Sequence, residues 1–251
     1  MTDGRDLKER WRLAGYPDEM GSATIVPPPT RGFVRGYHLL PANHGISSVS
    51  LRRLKVARFS EVNDPFELLA LNFREQKTRK LVRRFKAAHN SRTGLLCFSA
   101  NWTNPVLWSH YANRHEGICL GFDLKSGRVQ RVEYEDERLL ETLDDNDDPF
   151  SMPEALQLRL LRTKSRHWEY EEELRRFINL SDAMTDQGLL FWPFDEDMRL
   201  VEVILGPQSP LEVSHTRELV LATNPGVTVF RARLAFRSFQ VVVDGKSVVK
   251  N

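Results

Sequence analysis

The stretch Asn104-Pro-Val-Leu-Trp-Ser-His-Tyr-Ala-Asn-Arg-His-Glu-Gly-Ile-Cys-Leu-Gly-Phe-Asp123 decides the fold class. Asparagine is a good N-cap and proline suits the first helical turn, so Asn104-Pro105 predicts a helix start. The helix is expected to end near His115, with Gly117 as its stop. Ile118 to Phe122 is an apolar run that reads as a buried strand. A helix therefore passes into a strand with almost nothing between them.

On the N-terminal side, Val34 to Leu40 reads as a strand. Ser47 or Ser48 is placed to cap a short helix through Leu54, followed by a strand over Lys55 to Phe59. Asn63-Asp-Pro-Phe-Glu67 predicts a turn, because proline pushes Asp64 away from helix and Asn and Asp favour turns. Asn72 precedes a helix over 73–89, whose Leu81, Val82, Phe85 and Ala88 share a face. Leu95 to Ser99 is a short buried strand. On the C-terminal side, strands are expected at Val129 to Tyr134, Leu174 to Leu180, Leu189 to Phe194, Leu200 to Leu205, Val227 to Leu234 and Phe239 to Val243. Helices are expected from Pro153 to Thr163 and from Thr216 to Ala222. The acidic run Glu135 to Asp148 reads as a solvated helix end and loop. No internal repeat and no regular βαβ rhythm is present. The expected class is α+β, with a mixed, largely antiparallel central sheet and helices packed around it.

Residues 1–30 read as an extended arm, with Trp11 in a short amphipathic stretch ahead of the stiff Pro27-Pro-Pro29. Residues 31–251 then form one domain. Hydrophobic residues make up 41% of the 251 and aromatics 10%, enough for a substantial core. The net charge of +2 is too mild to imply nucleic-acid binding by itself. Cys97 and Cys119 lie in apolar strands and read as buried reduced thiols. No run of about 18 apolar residues is present, so no membrane span is expected. The first residues lack the apolar core of a secretory signal, and a cytoplasmic location is the default expectation.

Phosphate-loop, dinucleotide and nucleophile-elbow motifs are absent. His110 and His115 are poorly spaced for joint ligation on a helix, so no metal is expected. Trp108, Tyr111 and His115 share a helix face, which suits core packing or stacking on a flat ring. His38, beside Tyr37 at the end of the first strand, is either structural or a ligand contact. Asn63 either orients a ligand or caps its loop, with Arg58 and Ser60 just before it. Glu171-Glu-Glu173, followed by Leu174 and Arg175, is the sharpest acidic feature. Glu171, Glu173 and Arg175 would lie on one side if the strand starts early, and two such carboxylates need a cation, a ligand or an arginine. The alternative is a solvated helix end paired with Arg175 or Arg176. Arg74, Lys77, Arg79, Lys80, Arg83, Arg84 and Lys86 crowd the 73–89 helix, and Arg159 to Arg166 is also basic. Such runs are usually solvated faces, with contact to RNA or DNA the sharper reading.

Tyr37-His38, Asn63 to Glu67, Cys97-Phe-Ser99, Trp108 to Asp123, Tyr170 to Arg175 and Ile204-Leu-Gly206 resemble, in order, the motifs of a bacterial family, domain of unknown function 2971. The chain departs at Val62 and Leu174, where that family usually has aromatics. The order of elements is also similar to ADP-ribosyltransferases that use NAD. This second resemblance implies a split sheet, NAD as substrate and a protein or nucleic-acid acceptor, as in a toxin or defence effector. It implies Glu173 as the catalytic carboxylate, Glu171 as its assistant, His38 as the NAD anchor, and Tyr111 or Phe66 stacking on nicotinamide. Tyr37, Ser60, Asn63, Ser99 and His110 would complete the NAD site. A cleft joining His38, Ser60 or Ser99, and Glu173 is then required, and this reading fails if His38 and Glu173 lie on opposite faces of the sheet. The alternative is a non-catalytic nucleotide- or nucleic-acid-binding module, in which Glu173 is tied to Arg175 and the basic helix lines the approach.

Overall fold

The computed structural model describes residues 25–72, 74–140 and 152–248. In chain order the elements are β1 (Phe33–Leu40), α1 (Ala42–Ser50), β2 (Arg53–Lys55), β3 (Ala57–Arg58), α2 (Gln76–Arg92), β4 (Thr93–Ser99), α3 (Pro105–Tyr111), β5 (Ile118–Lys125), β6 (Gln130–Arg131) and β7 (Glu133–Glu135). They continue with α4 (Glu154–Arg162), β8 (Thr163–Ser165), β9 (Glu173–Asn179), β10 (Met184–Asp186), β11 (Leu189–Pro193), β12 (Met198–Leu205), α5 (Val213–Thr223), β13 (Thr228–Leu234) and β14 (Val241–Val243).

The main sheet runs β14-β13-β12-β5-β1-β4-β9-β6, with β3 on β4. Within it β12 and β13 are parallel and the other neighbours antiparallel, so the sheet is mixed and largely antiparallel. β1 pairs with β5 along its whole length, from Phe33–Lys125 to Leu40–Ile118. It meets β4 at one position only, Tyr37 opposite Ser99. Beyond that point the two strands part.

Side-chain alternation sorts the core. Ile118, Leu120, Phe122, Leu124, Leu96, Phe98, Leu174 and Val203 lie on one face, under Val49 of α1 and Val220 of α5. Tyr37, Leu39, Cys119, Ile204 and Phe230 lie on the other, with Leu107 and Trp108 of α3. A third cluster joins Phe85 of α2 to Leu160 of α4 and to Phe59.

Several boundaries differ from the sequence expectations. The first helix begins at Ala42, after Pro41, so Ser47 and Ser48 lie within it and Arg53–Lys55 is strand. The basic helix begins at Gln76, and the Asn72 carboxamide instead accepts from the Arg74 amide at 3.1 Å, a local turn. The Asn104 cap is as expected, its side chain accepting from the Val106 amide at 2.9 Å. That helix stops at Tyr111, because Asn113, Arg114 and His115 all have positive φ. Gly117 has no such φ. It is required because a Cβ there would overlap the Leu40 carbonyl oxygen. Trp11 and the acidic residues from 141 to 151 lie outside the described residues.

Candidate functional site

Where β1 and β4 part there is a cavity of about 270 Å3. Its wall takes in Tyr37, His38 and Leu39 of β1, Cys97, Phe98 and Ser99 of β4, and Glu173 and Arg175 of β9. The 61–63 loop, Glu67, Leu107, Tyr111, Lys164 and Glu171 close it.

Glu67, Arg175, Glu173, Lys164 and Glu171 form one buried chain of ion pairs. Arg175 binds Glu67 through both terminal nitrogens, at 2.7 and 2.9 Å. Its Nε donates to Glu173 Oε1 at 2.9 Å, and Nη2 to Oε2 at 3.1 Å. Lys164 Nζ lies 3.2 Å from Glu173 Oε2 and 2.5 Å from Glu171 Oε2. Tyr111 donates its hydroxyl to Glu171, and Asn63 Nδ2 donates to Tyr111 Oη at 2.8 Å. All five charged side chains are buried, with Arg175 only 1% exposed.

The two neighbouring glutamates differ in acidity. Burial favours the neutral form of Glu173, but Arg175 and Lys164 outweigh it and hold its pKa down at about 2. For Glu171 burial wins, and its pKa lies above the usual carboxylate value despite Lys164 and Tyr111. Burial, then Glu171, raises the Tyr111 hydroxyl. Lys164 is raised, since Glu173 and Glu171 overcome its burial. Burial also lowers the His38 imidazole and raises the Cys97 thiol.

Backbone geometry sets these positions. Arg166–Glu171 is a 3-10 turn, and Glu172 follows in the left-handed region at φ 45°. That reversal lets Glu171, which precedes the strand, and Glu173, which opens it, reach the same lysine. Asp64 accepts from the Phe66 amide at 2.9 Å, forming the turn that delivers Glu67.

Seven of the ten sequence-expected site residues line this cavity: Tyr37, His38, Asn63, Ser99, Tyr111, Glu171 and Glu173. Ser60, Phe66 and His110 do not. The Ser60 amide binds Asn90 Oδ1, Phe66 is 54% exposed, and His110 pairs with the Tyr170 hydroxyl at 3.0 Å. His38 and Glu173 reach the cavity from different sides of the sheet. Tyr37, Ser99 and Glu173 are cross-strand partners and share a face, whereas His38 pairs with Leu120 on the other. His38 Nδ1 lies 2.8 Å from the Cys97 carbonyl oxygen, bridging the gap between the parted strands. Among the described residues, no three His, Cys, Asp or Glu side chains are arranged to hold a metal ion.

Sequence reasoning missed Lys164 and the full role of Arg175. Lys164 sits in a basic run that resembles a solvated face. The available signal was charge balance, since Glu171 and Glu173 need more compensation than one arginine provides.

Residues 107–176 match the family described as protein of unknown function, domain of unknown function 2971. The match runs from α3 into β9 and covers less than half of the chain, so the likeness is to that part. No curated protein and no solved structure matches the chain.

Proposed function

We propose that this chain is a binding module for a nucleotide or related small molecule, whose flat, positively charged ring enters the cavity between β1, β4 and β9. The observation that carries this is the charge of the buried chain. Three carboxylates and two cations leave one excess negative charge when all are ionised. A buried excess charge favours a ligand that neutralises it. Tyr111 adds an aromatic ring beside the acids, and cations bind well against such rings. Both Glu173 oxygens are already engaged by Arg175 and Lys164, which favours binding over turnover at that carboxylate.

The oxidised nicotinamide ring of NAD is such a group, and the reduced ring carries no charge. Calorimetric titration with NAD and NADH tests the proposal. NAD is expected to bind at least about tenfold more tightly, equivalent to about 1.4 kcal/mol. Equal affinities, or no binding of either, would overturn it.

A second reading is an NAD-consuming transferase or glycohydrolase acting on a protein or nucleic-acid acceptor. Ser99 and Glu173 share the cavity and a face of the sheet, which favours only a version of it in which His38, on the opposite face, is not the NAD anchor. A fixed carboxylate there would stabilise the positive charge that develops on the ribose as the glycosidic bond breaks. Nicotinamide release during the same titration, lost in Glu173→Gln, decides for this reading.

A further inference from the structure

A different part of the molecule carries a charge pattern that the cavity does not use. α2 reads Gln-Lys-Thr-Arg-Lys-Leu-Val-Arg-Arg-Phe-Lys-Ala-Ala-His-Asn-Ser-Arg and contains seven Lys or Arg and no Asp or Glu. The whole chain is nearly balanced, at +2, so this one-signed helix concentrates its positive charge. Leu81, Val82 and Phe85 are buried, which turns Lys77, Lys80, Arg83 and Arg84 outward as exposed residues. Like charges on one face repel, so such a face gains from an anionic partner.

Next to this face is an open cleft of about 720 Å3 with Arg74, Arg79 and Arg138 among its walls and, among the described residues, Glu137 as the sole acid. The Arg138 guanidinium lies over the Phe66 ring, 5.3 Å from its centre. That ring is 54% exposed, so it is open to a stacking partner. Cations beside a concave surface, with an exposed aromatic against one of them, Arg138, match what a single nucleic-acid strand requires. Phosphates take the cations, and an unpaired base stacks on the ring.

We infer that the outer face of α2, with the cleft of Arg74, Arg79 and Arg138, is a docking surface for the backbone of a single-stranded nucleic acid, and that Phe66 stacks one of its bases. This surface is separate from the cavity and does not depend on the cavity's ligand. A duplex would satisfy the cations but offers no free base to Phe66.

The test is fluorescence anisotropy with labelled oligo(dT) and oligo(U) of about 16 nucleotides, and a duplex of equal length. Four exposed residues are changed together: Lys80→Gln, Arg83→Gln, Arg84→Gln and Arg79→Gln. Single-strand affinity is expected to fall at least tenfold. The slope of log K against log salt should flatten by about 0.7 per lost phosphate contact. Phe66→Ala should weaken single-strand binding several-fold and leave duplex binding unchanged. The oligo(dT) and oligo(U) arms show whether DNA or RNA is preferred, and binding of either supports the surface. NAD titration of the quadruple variant separates this proposal from the cavity reading, and unchanged far-ultraviolet circular dichroism confirms that the variant folds. No binding at low salt, equal binding by the quadruple variant, or equal Phe66→Ala effects on both strand forms would overturn the inference.

Discussion

Arg175 holds Glu67 across 108 residues of sequence through a two-pronged ion pair in which both side chains are 1% exposed. The same guanidinium also grips Glu173 and donates to the Leu161 carbonyl oxygen at 2.8 Å. A buried charge with all its hydrogen bonds made is tolerated, but one left without its partner is not. Arg175→Met is therefore expected to cost about 3–5 kcal/mol, because buried Glu67 loses its counter-ion and Glu173 keeps only Lys164. Arg175→Met combined with Glu67→Gln should recover part of that loss. Urea unfolding of the three proteins measures it. A single-variant loss below about 1 kcal/mol would mean that the pair is incidental to stability.

Much of this arrangement was legible in the sequence, and the reason is physical. Asn104-Pro105 marks a helix start because its cap bonds are local, and the Asn-Asp-Pro turn is local too. Strand identity followed from apolar runs. That Asn63, Tyr111, Glu171 and Glu173 belong to one site followed from the family resemblance, but that Glu67 joins them was not legible, since nothing local encodes the pairing of β4 with β9 or the parting of β1 from β4. Lys164 was hidden because burial of one lysine among arginines leaves no periodic trace. The helix expected to reach His115 stops at Tyr111 because three consecutive residues take positive φ, a tertiary choice that Asn113 and His115 favour more than Arg114 does.

Glu171 and Glu173 share one lysine yet should respond to acid with opposite signs. Glu173 has a folded pKa of about 2, below its ordinary 4.5. Its contribution to stability is fully present above pH 4.5 and is lost as pH falls towards 2, by roughly 3 kcal/mol. Glu171 is raised by burial, so its contribution is present at low pH and disappears as pH rises through its folded value. Urea midpoints followed against pH should therefore drop less steeply in acid for Glu173→Gln than for the parent. Glu171→Gln should keep the parent's acid limb. Identical acid limbs for all three proteins would show that Glu173 is not the depressed group.

Glu172 is exposed and left-handed at φ 45°, where a side chain with a Cβ is disfavoured. Its carboxylate has one long contact, with Asn101 Nδ2 at 3.4 Å, which offsets little of the strain. Glycine occupies this region freely. Glu172→Gly is expected to keep stability or raise it by up to about 1 kcal/mol, whereas the β-branched Glu172→Val should lower it by at least about 1 kcal/mol. Thermal unfolding of both variants decides. If the glycine variant is the less stable of the two, the turn is held by something other than its backbone conformation.

Gly206 closes the loop that follows α3, and its environment explains why no side chain fits there. Its amide donates to the Gly117 carbonyl oxygen at 2.9 Å, and the Gln208 amide donates to that of His115 at 3.1 Å. A Cβ on Gly206 would overlap the His115 carbonyl oxygen, and the Gly117 carbonyl oxygen would be only 3.0 Å away. Both obstacles are backbone, so no rotamer change relieves them. His115 is itself at φ 74°, which leaves the carbonyl little freedom to move. Gly206→Ala should therefore destabilise by at least about 2 kcal/mol, although alanine is among the smallest changes available. Gly127 is the matched control, since a methyl group added there would meet nothing within 4 Å and the residue has no positive φ. Gly127→Ala is expected to be neutral or slightly stabilising, because it only narrows the unfolded ensemble. Because the strained loop joins α3, which carries Tyr111, to β5, the Gly206→Ala loss should be accompanied by weaker ligand binding in the cavity. Equal unfolding midpoints for the two alanine variants would show that the 113–117 loop yields to the methyl group and does not fix the position of Tyr111.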